Sequence, residues 1–140
     1  MLLALGCSAY AYAGSASILV ERGSPAISQG ALIEAVGIGT IGGVLTVILP
    51  KGCAIPCSKA ETFGTAADGQ SQITIHLFRG DTPSTSAAHP LGSFRITGLP
   101  SKPRGKVIVE VTFLADASGI HLSARDTSGV SNLVLSRVAP

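Results

Sequence analysis

Residues 65–81 read TAADGQSQITIHLFRGD, a tight Asp-Gly turn feeding a long strand in which apolar and polar side chains alternate. Ile73, Ile75 and Leu77 share one face, and Gln72, Thr74 and His76 share the other. A period of two means one covered face and one wetter face, the signature of an antiparallel sandwich. The same period recurs downstream, where Val107, Val109, Val111 and Phe113 oppose Glu110 and Thr112. Outward from these two strands, short apolar runs recur between turn signals: 31–36, 44–49 (ending at Pro50), 60–65, 91–97, 120–126 and 132–138. With 70–78 and 107–115 they make eight strand candidates at fairly regular spacing, with no convincing helix among them. The pattern predicts an all-β protein, an antiparallel β-sandwich of about eight strands. Asp81 to His89 (DTPSTSAAH) is small and polar and reads as a mobile surface loop, and Gly14 to Gln29 reads as a linker.

Composition supports this reading. A chain of 140 residues is the usual size of one domain and can bury a full core. It is 46% hydrophobic and 13% charged, which argues against disorder, and it lacks Trp, so the core must rest on Val, Ile, Leu and Ala. The net charge of +2 comes without a basic cluster. Neither a nucleic-acid footprint nor a polybasic membrane patch is expected.

The cysteines number three, Cys7, Cys53 and Cys57, an odd count that argues against a secreted disulfide framework. Cys53 and Cys57 look like half a zinc site, but no second pair exists, and His76, His89 and His121 are scattered. If the segment between the two cysteines is extended, their Cα atoms lie too far apart for a disulfide. The expectation is two reduced, partly buried thiols in a cytosol-like, cytoplasmic compartment. Residues 1–17, MLLALGCSAYAYAGSAS, resemble a secretory signal in their apolar run but lack its basic start, and they are too short and too rich in Gly and Ser to span a bilayer. A buried or truncated helix end is the favoured reading.

Two stretches that resemble catalytic motifs have simpler structural accounts. Gly37-Ile-Gly-Thr-Ile-Gly42 fits G-x-G-x-x-G, whose chemistry needs a helix N-terminus directly after the glycines to hold a pyrophosphate. Here VLTVILP follows, a β-branched run stopped by proline, so the glycines read as a bend between strands with backbone exposed near a ligand. A serine beside His76 and Asp68 is conceivable for hydrolysis, but no G-x-S-x-G elbow is present and the eight acidic residues are scattered. The expectation is a protein without catalytic residues or a metal.

The ordered segments GIGTIGG (37–43), LPKGCAIPCSKAETFGTAADGQSQITIHLFRGD (49–81), LGSFRITGLPSKPRG (91–105), VEVTFLADASGI (109–120) and LSARD (122–126) together resemble the substrate-binding β domain of the 70-kDa heat-shock chaperone family. Residues 1–14 look like the last helix of that family's ATPase domain. The resemblance implies residues 1–30 as a helix remnant plus linker and residues 31–140 as a β-sandwich with a peptide cleft between loops at one end. It implies that Ile38, Thr40, Phe63, Ile73, Ile75 and Val109 line the cleft, with Ile73 at the floor of its central pocket. Ile41 and Ala66 would arch over the bound backbone. Thr40, Gly64, Gln70 and Thr74 would offer hydrogen bonds, and Asp68 and Arg104 match positions that latch a helical lid.

The expected partners are unfolded or extended polypeptide clients, with an ATPase domain or co-chaperone as further candidates and self-association through the open cleft or a sheet edge. ATP belongs to the lobes of full-length relatives, so no cofactor is expected in this chain. SQGALIEAV (28–36) replaces the family's Leu-rich linker between aspartates, and the sequence ends at Pro140, before the position of the lid. IHLSARD (120–126) is one residue shorter than its family counterpart, which would reverse side-chain facing unless a bulge absorbs it. A client-binding module is the leading expectation. The alternatives are an interaction scaffold of the same fold that has lost peptide binding and an enzyme.

Overall fold

The computed structural model describes residues 15–22, 27–40, 42–127 and 133–138. Among the described residues, eleven strands run in chain order. They are β1 (Ser15–Arg22), β2 (Ile27–Ser28), β3 (Ala31–Leu32), β4 (Val36–Thr40), β5 (Val44–Leu49), β6 (Cys57–Gly64), β7 (Gln72–Arg79), β8 (His89–Thr97), β9 (Ile108–Asp116), β10 (Gly119–Asp126) and β11 (Val134–Val138). One sheet has the order β1-β10-β9-β6, the second has the order β11-β8-β7-β4-β5, and β2 and β3 form a small hairpin. Every described pairing is antiparallel. The fold is the expected antiparallel β-sandwich.

The alternation read from sequence sets which side chains face inward. Ile73, Ile75 and Leu77 on β7, and Val109, Val111, Phe113 and Ala115 on β9, are buried in one core with Phe94, Ile96, Ile120 and Leu122. Each such aliphatic or aromatic side chain contributes about 1.5–3 kcal/mol by leaving water. Bulges adjust the pattern where two adjacent residues must both face in. One lies between β4 and β5, where Val36 pairs with Leu49 and Gly37 with Val47, leaving Ile48 as the extra residue, so Ile48 and Leu49 are both buried. The β9–β10 ladder runs from Gly119↔Asp116 to Asp126↔Val109 without a break. The bulge beside β10 lies instead in β1, between Leu19 and Glu21.

Three expectations need correction. The stretch read as a linker supplies β1, an edge strand whose Ile18 and Leu19 pair with Leu122 and His121; its own apolar residues gain a covered face only by joining the sheet. Residues 31–36 are not one strand but β3 and the start of β4, separated by Ile33–Ala35. Cys53 and Cys57 are not free thiols. The chain between them turns rather than extends, so their Cα atoms come to 6.0 Å and the sulfurs are bonded. The cytosol-like reading rested on free thiols and loses that support. Residues 1–14, including Cys7, lie outside the described residues.

Candidate functional site

The site arises where the five-stranded sheet parts. β7 is paired with β8 along its length, from Gln72↔Thr97 to Arg79↔His89. Its partnership with β4 covers only Val36↔Arg79, Gly37↔Phe78 and Ile38↔Leu77. Among the described residues, Ile73 to His76 have no cross-strand partner on the β4 side. At the parting lies an open cleft of about 750 Å³. Ile38, Phe63, Ala66 and Ile75 form an apolar wall, and Thr40, Thr74 and His76 add polar atoms.

Both lips of this cleft are held by the backbone. The first is the β4–β5 turn, which needs left-handed backbone at Gly42 and Gly43 (φ 85° and 74°), a conformation glycine adopts without a Cβ clash. Below the turn, a Cβ on Gly37 would collide with the Thr46 carbonyl, so glycine permits the close approach of β4 and β5. The Thr40 hydroxyl donates to the Val44 carbonyl at 3.2 Å and lies 3.1 Å from the Thr46 hydroxyl. The stretch Asp81 to His89, expected to be a mobile surface loop, is tied to this lip, carries a short 3₁₀ turn, Thr85–Ala87, and ends in the first residue of β8. The Thr85 N–H donates to the Gly43 carbonyl at 2.9 Å, and the Leu45 N–H donates to the Pro83 carbonyl at 2.9 Å.

The second lip is the β6–β7 connection. Gln70 Oε1 accepts from the Ala66 N–H at 2.7 Å and the Ala67 N–H at 3.2 Å, and Gln70 Nε2 donates to the Gln72 carbonyl at 2.7 Å. Buried Thr65 accepts at its carbonyl (2.9 Å) and its hydroxyl (3.0 Å) from the Gly105 N–H. The Asp68 carboxylate accepts from the Arg104 N–H at 2.8 Å, and the Gly69 N–H donates to the Lys102 carbonyl at 2.9 Å. Asp68 and Arg104, expected at a lid latch, thus meet through a bond from the Arg104 backbone N–H to the Asp68 side chain that braces the lip.

The structure brings Ile38, Thr40, Phe63, Ala66, Thr74 and Ile75 to one cleft, with Gly64 and Gln70 in its adjoining lip. Ile73 and Val109 sit beneath it, at 9% and 0% exposure, because both side chains face the core between the sheets, Ile73 opposite Ile96 on β8 and Val109 between Phe63 and Asp126. Ile41 lies outside the described residues. Gly39, His76, Phe78 and Thr85 also border the cleft. Gly39 lies on β4 beside the turn, while His76 and Phe78 belong to the outward period of β7 and Thr85 to its following loop, whose approach depends on the tertiary tie to Gly43, a tie that sequence reading missed.

The catalytic motifs take other roles. The glycines of residues 37–42 lead into strand β5, not a helix. His76 Nδ1 lies 2.7 Å from the Ser93 hydroxyl. A serine, a histidine and an aspartate do meet on the β9–β10 turn, but Ser118 Oγ and Asp116 Oδ1 both approach the same nitrogen, His121 Nε2, at 2.8 and 3.2 Å. Ser118 Oγ donates to Asp116 Oδ1 at 2.6 Å. A catalytic triad needs its serine and acid on opposite ring nitrogens; this geometry closes a turn. The Ser118 hydroxyl, with its backbone N–H and His121 adding to it against partial burial, holds the Asp116 carboxyl below the usual aspartate range. Among the described residues, no group of three or more His, Cys, Asp or Glu could hold a metal ion.

Comparison with protein-family models matches the chain to a model described as Hsp70 protein, over residues 31–134 of 140, which spans β3 to the start of β11.

Proposed function

Because the chain belongs to the Hsp70 family and so has a chaperone-related role, we propose that its cleft grips short, extended, apolar segments of unfolded polypeptides. The parting of β4 from β7 carries this reading. It leaves the main-chain donors and acceptors in residues 73–76 that point away from β8 beside an apolar wall of Ile38, Phe63, Ala66 and Ile75. An extended peptide presents unpaired amides and alternating side chains, and a strand-lined groove can satisfy the first while an apolar pocket selects the second. Burying one leucine supplies about 1.5–3 kcal/mol. Micromolar affinity needs about 8 kcal/mol, so backbone bonds and several side-chain contacts must act together. Recognition built this way is broad rather than sequence-specific, as suits unfolded clients. The module acts by binding, with no catalytic residue and no cofactor of its own.

The test is fluorescence anisotropy of a labelled heptapeptide with a central leucine. Thr74 is exposed and borders the cleft, so Thr74→Arg should fill the cleft mouth without disturbing the core. Saturable binding by the wild type, weakened at least about tenfold (1.4 kcal/mol) by Thr74→Arg at unchanged stability, is the expected result. No binding by a folded wild-type chain would assign the fold to an interaction scaffold instead.

A further inference from the structure

Cys53, in the loop that joins β5 to β6, and Cys57, the first residue of β6, lie at the end of the sandwich away from the cleft, and the proposed function leaves their bond without a role. That loop is the only described partner of the β2–β3 hairpin's main chain outside the hairpin itself. The Leu32 N–H donates to the Cys53 carbonyl at 3.0 Å, the Gly52 N–H to the Leu32 carbonyl at 2.7 Å, and the Ile55 N–H to the Gly30 carbonyl at 3.0 Å. Ala31 and Ala54 form a bridge between the same two segments. With strands of only two residues each, the hairpin has little pairing of its own.

The two cysteines differ in how they are held. Cys57 is 5% exposed and opens β6, where it pairs with Ala115 at the head of a ladder that continues to Gly64↔Ile108. Cys53 is half-buried and belongs to no strand. The less buried cysteine is therefore on the loop side, and the anchored one is on the sheet side.

We propose that the Cys53–Cys57 disulfide is a reducible clasp that fixes the β2–β3 hairpin to the sandwich and is opened by a dithiol. A thiolate of the dithiol attacks the Cys53 sulfur, and the sulfur–sulfur electron pair leaves on Cys57, which takes up a proton. The second thiol of the reductant then displaces Cys53, which is released as a thiol. Two electrons and two protons pass to the cystine, and the reductant becomes its own disulfide. Cys57 stays in the β6 ladder, while the segment 52–55 gains freedom and the hairpin loses its dock. Because β6, β7 and both cleft lips are held by other bonds, the sandwich and the cleft persist.

Hydrogen exchange followed by mass spectrometry, with and without dithiothreitol under native conditions, tests the clasp, and a thiol count verifies reduction. Reduction should raise the count by two and speed exchange at Leu32, Gly52 and Ile55 at least about tenfold, with β9 and β10 unchanged. The Cys53→Ser, Cys57→Ser double variant should show the same open pattern without reductant. Unchanged exchange at those three amides after full reduction would overturn the proposal, as would resistance to the dithiol in the native state. Loss of protection throughout β9 and β10 would also overturn it, since the bond would then be a staple of the whole fold. Peptide binding to the cleft is a separate readout and leaves the outcome for the clasp unaffected.

Discussion

Strands β7 and β9 are similar in length and in alternation, yet they meet different fates. β9 is paired with β10 from Val109 to Asp116 and with β6 from Ile108 to Ala115, and Val109, Val111, Phe113 and Ala115 have no exposure at all. β7 has a full ladder with β8 but only three partners on β4. The same pattern of residues thus builds a closed core on one sheet and one wall of a groove on the other. The cause lies in the neighbour rather than in the strand. β6 follows β9 to the end, whereas β4 is cut short by the Gly42–Gly43 turn and held off by the loop at Thr85.

Breaking the closed strand should have the largest effect. Phe113→Ala empties a fully buried position, with an expected loss of about 3–5 kcal/mol in denaturant unfolding. Peptide affinity per folded molecule should stay the same, because β9 reaches the cleft only from beneath. A selective loss of binding at unchanged stability would show that the two strands are not separable in this way.

Removing a brace from the open side should act on the groove more than on the fold. Asp68→Ala takes away the acceptor of the Arg104 N–H, at a cost to stability of about 0.5–1.5 kcal/mol. A freed lip should release peptide several-fold faster, read by stopped-flow displacement, since changes within one interface act mainly on the off-rate. Equal off-rates in wild type and variant would mean that the lip is not set by this bond.

The smallest effect belongs to the β9–β10 turn. Asp116 titrates below its ordinary range in the folded chain, chiefly through the Ser118 hydroxyl. A lowered folded value stabilises the charged form, so its contribution is complete above the ordinary aspartate range and is lost as pH falls through the lowered value. Ser118→Ala should therefore be slightly less stable than wild type at neutral pH. The two should converge in acid, where the carboxyl is protonated in both. A difference that persists unchanged into acid would show that the loss comes from packing instead.

Much of this contrast was legible in the residues. Alternation at 73–77 and 107–113 identified both strands and their inward faces, because a period of two is imposed by the pleat itself. β1 was missed, although SASILVE between Gly14 and Gly23-Ser24-Pro25 carries a short β-type signal between turn residues. Its isolated Glu21-Arg22 pair and flanking Gly and Ser drew the reading toward a linker. The disulfide was missed because two cysteines four apart read as too distant in extended chain; the Pro56 between them was the available sign of a turn. Six of the cleft residues inferred from resemblance do gather at the groove. Burial of Ile73 and Val109 depends on how closely the two sheets pack over them, and that is set by partners remote in sequence.

The central claim is that the split side of β7, and not the paired face of β9, receives a peptide. Amide chemical-shift mapping of the isotope-labelled chain, titrated with the leucine-centred heptapeptide, tests it directly. Shifts should concentrate at Gly39, Thr40, Ala66 and residues 73–76, with β10 and the 116–118 turn unmoved. Saturable binding whose shifts fall on β9, β10 or the 116–118 turn, and spare residues 73–76, would contradict it.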